Sequence, residues 1–498
     1  MEEESWQANV DKLSARGDRM ETLTTLYTHI NKQSSMSRGA IESLLRSPAL
    51  YECAAVGDAA KEPMVNISID LIRTCLEQLQ LDTSDAQLPN LLSQALQHSN
   101  PALRALVLSL LLKALSRQTS GANVLTLPNN GLILHVLDEL LQPESQCSTT
   151  AIQILEIMLG QWPADLSVHL KLMKMCTENE VIRCRAYELG VVLAKRNSAA
   201  LDNVEFILNA ALSELDNDDV LLQASVMEIL VPLAEQNHCL NYMERMRIFD
   251  IISSRVERID ENPMDTLLIP SIMKFFSKVA AVQPQKIITG YPRMVASLFD
   301  LILSEDVDCL PTAMDALANL ASSVHGKTLL QLHHMPTMKK IMSKYSDFIK
   351  NLSAALKIRL LNSLDVIYAQ ESPASAEISS ILKMWYESFA GGQQVENIME
   401  MLKTPFPDLQ LAALSLLKTL CGYVWGIQAV QHTAGAIEFL LSRHADLHKD
   451  VKYLKWEIMQ QLSVSSEFTA VETVRFTTYV NEGPYHVQSK VNIATEPQ

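Results

Sequence analysis

The feature that most constrains this chain is a segment type whose apolar residues cover too much of a helix. "LQLAALSLLKTL" (409–420) is one example. On a helical wheel Leu409, Ala413, Leu414, Leu416, Leu417 and Leu420 spread well beyond the ~100° stripe of an ordinary surface helix. Gln410, Ser415, Lys418 and Thr419 are left as the polar side, which Leu411 interrupts. A helix of this kind must be covered on both flanks.

The segment recurs. "VIRCRAYELGVVLA" (181–194), "VLLQASVMEILVPLA" (220–234), "LLIPSIMKFFSKVA" (267–280), "CLPTAMDALANLA" (309–321) and "LKIRLLNSLDVIYA" (356–369) share its form. "LRALVLSLLLKALS" (103–116) and "VKYLKWEIMQQLS" (451–463) extend the series at either end. From 181 onward successive copies start roughly 40–50 residues apart, the period of HEAT and armadillo units. Polar turns precede them: "DNDD" (216–219) and "FPD" (406–408) put Asp where a helix begins. More amphipathic stretches follow, such as 200–215, 243–259 and 292–305, so the repeat reads helix, loop, helix. β-Branched alternation is scarce until "TVRFTTYV" near the end.

The expected fold is therefore all-α, an armadillo/HEAT-like α-solenoid with essentially no β-sheet. Each inner helix packs on its outer partner and on the units before and after it. A chain of 498 residues exceeds one globular core, which stops growing near 250–300 residues. The expected organisation is a weakly patterned helical part over 1–97, repeats over 98–487, and a frayed polar tail over 488–498. Pro270 should kink or restart its helix. Stretches 118–131 and 369–380 read as inter-helix loops.

Charge and motifs narrow the function. The formal net charge of −16 disfavours a nucleic-acid partner. "MKKIMSK" (338–344) reads as the solvated face of a helix. "MEEESW" has neither a basic n-region nor an apolar h-region, and the longest apolar run, 105–112, is far short of the ~20 residues that span a bilayer. The eight cysteines form no C-x-x-C pair, which points to a reducing compartment, the cytoplasm or also the nucleus. "ASSVHGKT" (321–328) lacks the first glycine of a phosphate loop, and Gly326 reads better as a helix C-cap. His444 and His448 have zinc-ligand spacing without a third ligand. "DNDDV" (216–220) lacks the glycine and glutamate of a calcium loop. No nucleophile constellation is evident, so no enzymatic activity, cofactor or metal is expected. The 21 methionines fill gaps between helices or line an adaptable groove.

The segments "LLIPSIMKFFSKVA", "VHGKTLLQ" (324–331), "TPFPDLQLAALSLL" (404–417) and "TYVNEGPYHV" (478–487) resemble the family of the 26S proteasome non-ATPase regulatory subunit 5. The "PFPDL" and "EGPY" segments are its most specific marks, and the resemblance runs from about 98 to about 487. It implies a chaperone for assembly of the proteasome regulatory-particle base. Such a chaperone binds the C-terminal small domain of an AAA ATPase subunit in an early module, together with the neighbouring ATPase and a large non-ATPase subunit. It is released before the mature particle forms, and outside these complexes a monomer is expected. A curved solenoid suits such a task, and its concave strips would carry Arg183, Arg185, Tyr187, Gln223, Lys274 and Gln410, with Arg183, Tyr187 and Lys274 foremost. Arg and Tyr are enriched among interface anchors. The alternative is a general armadillo adaptor, such as a nuclear-import carrier for basic peptides. Against it, the five Trp are irregularly spaced and form no Trp–Asn ladder.

Overall fold

The computed structural model describes residues 2–14, 18–32, 36–55, 62–79, 81, 88–119, 130–142, 146–160, 165–217, 219–257, 263–304, 308–369, 375–389, 393–443 and 447–486. Every regular element among them is helical, and the chain is an α-solenoid. It divides into two compact units, Met1–Ile248 and Phe249–Gln498.

In the first unit the inner row consists of helices Pro101–Thr119, Ser148–Met158, Glu180–Ala194 and Val220–Leu230, each packed on the next. Glu62–Leu79 precedes them and packs on Pro101–Thr119. Outer helices Asn130–Leu140, Leu166–Met175, Ser198–Ser213 and Asn237–Arg245 alternate with the row. The region before residue 98 is helical too. There Trp6 is fully buried and its Nε1 donates to the Ala40 carbonyl at 2.9 Å.

In the second unit the inner row is Ile269–Val282, Leu310–Leu320, Ala354–Tyr368, Pro407–Leu420 and Lys449–Ser463, again packed side by side. Here the repeat is richer than helix, loop, helix. The short helices Pro284–Gly290, Gln394–Met401 and Ala436–Leu441 add a third element.

The packing explains the wide apolar arc. In Pro407–Leu420 Leu409, Ala412, Ala413, Leu414, Leu416, Leu417 and Leu420 are all buried, because the helices on either side cover both flanks. Burying a leucine contributes about 1.5–3 kcal/mol, so these seams supply much of the cohesion. No unit of this kind buries its own arc alone.

Local signals mostly act as the sequence implies. Asp219 caps Val220–Leu230 by accepting from the amides of Leu221 and Leu222. Pro270 lies in the first turn of Ile269–Val282, directly after the 3₁₀ turn Pro263–Leu268, so it restarts a helix. Met338, Ile341 and Met342 are buried while Lys339 and Lys340 are exposed, as a solvated helix face requires.

Other expectations are corrected. The stretch 243–259 is not one helix: it breaks at Arg247, which has φ 54°, between Asn237–Arg245 and Ile248–Glu257. "TVRFTTYV" lies within helix Ala470–Glu482, where burial of Phe476 and Tyr479 outweighs β propensity. Residues 118–119 belong to helix Pro101–Thr119, 130–131 to Asn130–Leu140 and 376–380 to Ala376–Ser388, so neither stretch is a loop throughout, and 120–129 and 370–374 lie outside the described residues. Gly326 is not a C-cap. It sits in the first turn of Val324–Asn351, and Ser323 Oγ accepts from its amide. A Cβ there would meet the Leu320 carbonyl oxygen at 2.1 Å. Gly426 makes the same approach to Leu420, at 1.9 Å. In both places glycine lets two helices turn a tight corner. His444 and the 488–498 tail lie outside the described residues.

Candidate partner-binding surface

The six residues expected on a concave strip have different surroundings. Arg183 and Tyr187 lie on Glu180–Ala194 and converge on Glu214, in the 3₁₀ turn Glu214–Asp216. Arg183 Nη1 donates to Glu214 Oε1 at 2.7 Å and the Tyr187 hydroxyl donates to the same oxygen at 2.9 Å. Asn217 Nδ2 donates to Oε2 at 3.0 Å. Tyr187 is 1 % exposed and Glu214 6 %. Burial, and then the carboxylate that accepts its proton, push the Tyr187 phenol well above its usual range. This ion pair, with Glu214 buried and Arg183 partly exposed, is completed by neutral donors, and it ties helix Glu180–Ala194 to the turn that follows Ser198–Ser213.

Arg185, Gln223 and Gln410 are buried as well, and each donates to backbone carbonyls at a helix end. Arg185 Nη1 reaches Leu140 O at 3.3 Å and Gln142 O at 2.6 Å. Gln223 Nε2 donates to Asn217 O. Gln410 Nε2 reaches Leu402 O at 3.2 Å and Thr404 O at 2.7 Å. Arg104, Lys327 and Lys455 do the same. Arg104 Nη1 reaches His98 O at 2.7 Å, and its Nε pairs with buried Glu139 at 2.9 Å. Lys327 Nζ reaches Ala369 O at 2.9 Å, and Lys455 Nζ reaches Phe439 O at 2.9 Å and Ser442 O at 3.0 Å. The last carbonyls of a helix lack intrahelical donors and carry the negative end of its dipole. A long polar side chain from the first two turns of a neighbouring helix satisfies them, an earlier helix for Lys327 and a later one for the others. Burial lowers the pKa of both Lys327 and Lys455 to about 8.

Lys274 differs. It is exposed on Ile269–Val282, with Lys278 one turn later. The two line a groove of about 430 Å³ that crosses three adjacent inner helices. Asp315 and Asn319 come from Leu310–Leu320; Arg359, Asn362 and Ser363 come from Ala354–Tyr368. Arg359 Nε donates to Asp315 Oδ2 at 3.0 Å, Ser363 Oγ to Asp315 Oδ1 at 3.5 Å, and Asn319 Nδ2 to Ser277 Oγ at 3.3 Å. Beyond them Asp365 accepts from Ser415 at 2.7 Å and from Thr419, and Lys418 pairs with Glu457 at 3.1 Å. The result is a polar ladder along the inner row, with cations at Lys274, Lys278 and Arg359.

Of these, Lys274 alone is a contact residue expected from the sequence, although Ser415, Lys418 and Thr419 already mark the polar side of 409–420. The rest had a readable signal: polar residues at i, i+4 on the narrow polar side of successive copies, as in Lys274/Lys278, Asp315/Asn319 and Arg359/Ser363. Gln410 lacks it, because Leu414 and Leu417, four and seven residues on, share its face and are buried.

The described residues hold no group of three or more His, Cys, Asp or Glu arranged for a metal. His448 is the N-cap of Lys449–Ser463, accepting from the Asp450 amide, so it stands at that helix's start and not on its face. Burial holds cysteines as thiols, Cys75 and Cys421 pushed up to about 12, Cys176 and Cys239 to about 11.

The family described as "Proteasome non-ATPase 26S subunit" matches residues 2–498. The 26S proteasome non-ATPase regulatory subunit 5 of Drosophila melanogaster is 55% identical over 501 residues, covering 100% of this chain and 99% of that protein. The Bos taurus protein of the same name is 26% identical over 420 residues, 81% of this chain and 82% of its own length. Among solved structures, Kap121p bound to Ste12p aligns with 86% of this chain and 45% of its own at 11% identity and a TM-score of 0.46. An engineered protein aligns with 92% of this chain and 98% of its own at 14% identity and a TM-score of 0.40.

Proposed function

The chain belongs to the proteasome non-ATPase 26S subunit family, and we propose that it is a chaperone for assembly of the base of the proteasome regulatory particle. It binds the C-terminal small domain of an AAA ATPase subunit while an early module forms with the neighbouring ATPase and a large non-ATPase subunit. It leaves before the mature particle is complete, and it works by occupying a surface, without catalysis, in the cytoplasm and the nucleus. The observation that carries this reading is that the likeness to the Drosophila protein, like the family match, runs the full length of the chain. The fold adds support, since interlocked inner helices present a rigid polar ladder to a partner at little cost in ordering.

The test is affinity purification of the tagged chain from cells, followed by gel filtration. The chaperone reading requires small complexes containing a proteasomal ATPase and no peptidase activity in the same fractions. Recovery mainly with assembled, peptidase-active particles refutes it. The runner-up, an adaptor for basic peptides, has the net charge of −16 in its favour. It requires binding to a lysine-rich peptide that weakens steeply with salt.

A further inference from the structure

We propose that the exposed side of helix Val324–Asn351, around its break at His334, binds an acidic segment of a partner protein that also carries an apolar anchor. The inference goes beyond the assembly reading and does not depend on it.

Three observations carry it. First, the helix is broken in its middle. His334 has φ −132° and ψ 21°, and Pro336 lacks the amide that would bond to the Leu332 carbonyl. On either side of the break Leu332 is 73 % exposed and Met335 37 %. One exposed leucine is ordinary; here a methionine stands beside it, a side chain that adapts to the shape of an apolar guest. Second, cations gather next to this pair against the trend of the chain. The protein bears a formal −16, yet the helix carries five lysines and one carboxylate, Asp347. Lys327 is buried, and Lys344 lies over the Phe348 ring at 5.6 Å. Lys339 and Lys340 are exposed and form no ion pair among the described residues. On the neighbouring helix Ala376–Ser388, Glu387 is already taken by Lys383 at 3.9 Å. Third, the spacing suits one ligand. Met335 and Lys339 are one turn apart on the same face. Helical rise puts the two lysines about 6–12 Å from the apolar pair, a span of roughly two to four residues in an extended segment.

Charge selects the occupant. Opposite charge guides encounter and like charge across an interface is costly, so the lysines favour carboxylates and reject a basic peptide. A lipid surface is disfavoured because the continuous apolar face of the helix, Met338, Ile341, Met342, Tyr345 and Phe348, is buried in the solenoid. The two side chains left outside give little insertion. A long phosphate backbone meets repulsion from the acidic remainder of the surface.

The probe is a fluorescein-labelled peptide with a leucine pair a few residues from a run of glutamates, titrated with the full-length chain by anisotropy. Comparators replace its leucines by serines or its glutamates by lysines, and vesicles containing phosphatidylserine test for lipid. The wild type is expected to bind the leucine–glutamate peptide best, and more weakly as salt is raised. L332S/M335S and K339E/K340E are each expected to lose about tenfold or more. K339R/K340R keeps the charge and is expected to stay within about threefold of the wild type. All four positions are exposed, so each variant should fold as the wild type does, which circular dichroism checks.

Equal binding by the wild type and either L332S/M335S or K339E/K340E overturns the inference, since recognition then lacks its apolar or its charged half. So does failure to bind the leucine–glutamate peptide, a preference for the lysine-bearing peptide, or capture of vesicles in preference to peptide. None of these readouts involves a proteasomal ATPase, so the assembly reading stands or falls separately.

Discussion

Tyr187→Phe and Glu214→Gln, singly and together, separate a structural brace from a contact surface. Glu214 accepts from Arg183 at 2.7 Å, Tyr187 at 2.9 Å and Asn217 at 3.0 Å. The Arg183 side chain keeps 23% of its exposure and Glu214 only 7%. A hydrogen bond to a charged group contributes about 1.5–3 kcal/mol. Breaking a buried pair from one side costs about 3–5 kcal/mol, and the half-open Arg183 places Glu214→Gln at the low end of that range. Tyr187→Phe should cost about 1–2 kcal/mol, since Glu214 keeps two donors. Because both changes act on one bond, the double variant should cost about 1 kcal/mol less than the sum. A repeat array does not unfold in a single step, so the assay is hydrogen exchange by mass spectrometry on peptides from Glu180–Ala194 and Ser198–Ser213. Each 1.4 kcal/mol is about a tenfold change in protection. Tyr187→Phe should therefore lower protection there by about tenfold, with other repeats little changed. Unchanged protection together with loss of partner capture would refute the argument and make Tyr187 and Arg183 contacts.

Further outcomes follow from the same packing. Lys327 and Lys455 have folded pKa values of about 8 against an ordinary 10.5, so between those values the unfolded chain holds more protons. Their contribution to stability is at its lowest below pH 8 and rises toward pH 10.5, by up to about 3 kcal/mol each. Melting curves of wild type against Lys327→Met should show that difference and cancel the opposing effect of the buried Cys and Tyr. Gly326→Ala or Gly426→Ala should lower the melting temperature sharply, because the added carbon meets a backbone carbonyl at 2.1 or 1.9 Å. Gly39→Ala, with nothing within 4 Å in helix Arg38–Leu45, should be neutral or stabilising by up to about 1 kcal/mol. Leu417→Ala, at a seam between inner helices, should cost about 2–5 kcal/mol in a denaturant titration.

The repeat was legible in the chain because an apolar arc is a local property. Each copy from 103–116 to 451–463 shows its burial in its own residues, and the spacing of copies implies that they cover each other. Capping at Asp219 and the restart at Pro270 are local too, fixed within a turn of the residue that causes them. The polar residues were another matter. Arg185, Gln223, Lys274 and Gln410 look alike in sequence, as polar breaks in apolar helices. Three of them reach carbonyls six to forty-five residues back and disappear from the surface, while Lys274 stays on it. Which happens depends on whether a neighbouring helix ends within reach, and that is set only when the repeats stack. Gly326 follows the same logic: its role is decided by the Leu320 carbonyl that the corner brings against it. Composition and period determined that helices would stack. The partners of each polar group, and hence the face left open for binding, were decided by the three-dimensional packing, since a donor finds its acceptor across space and not along the chain.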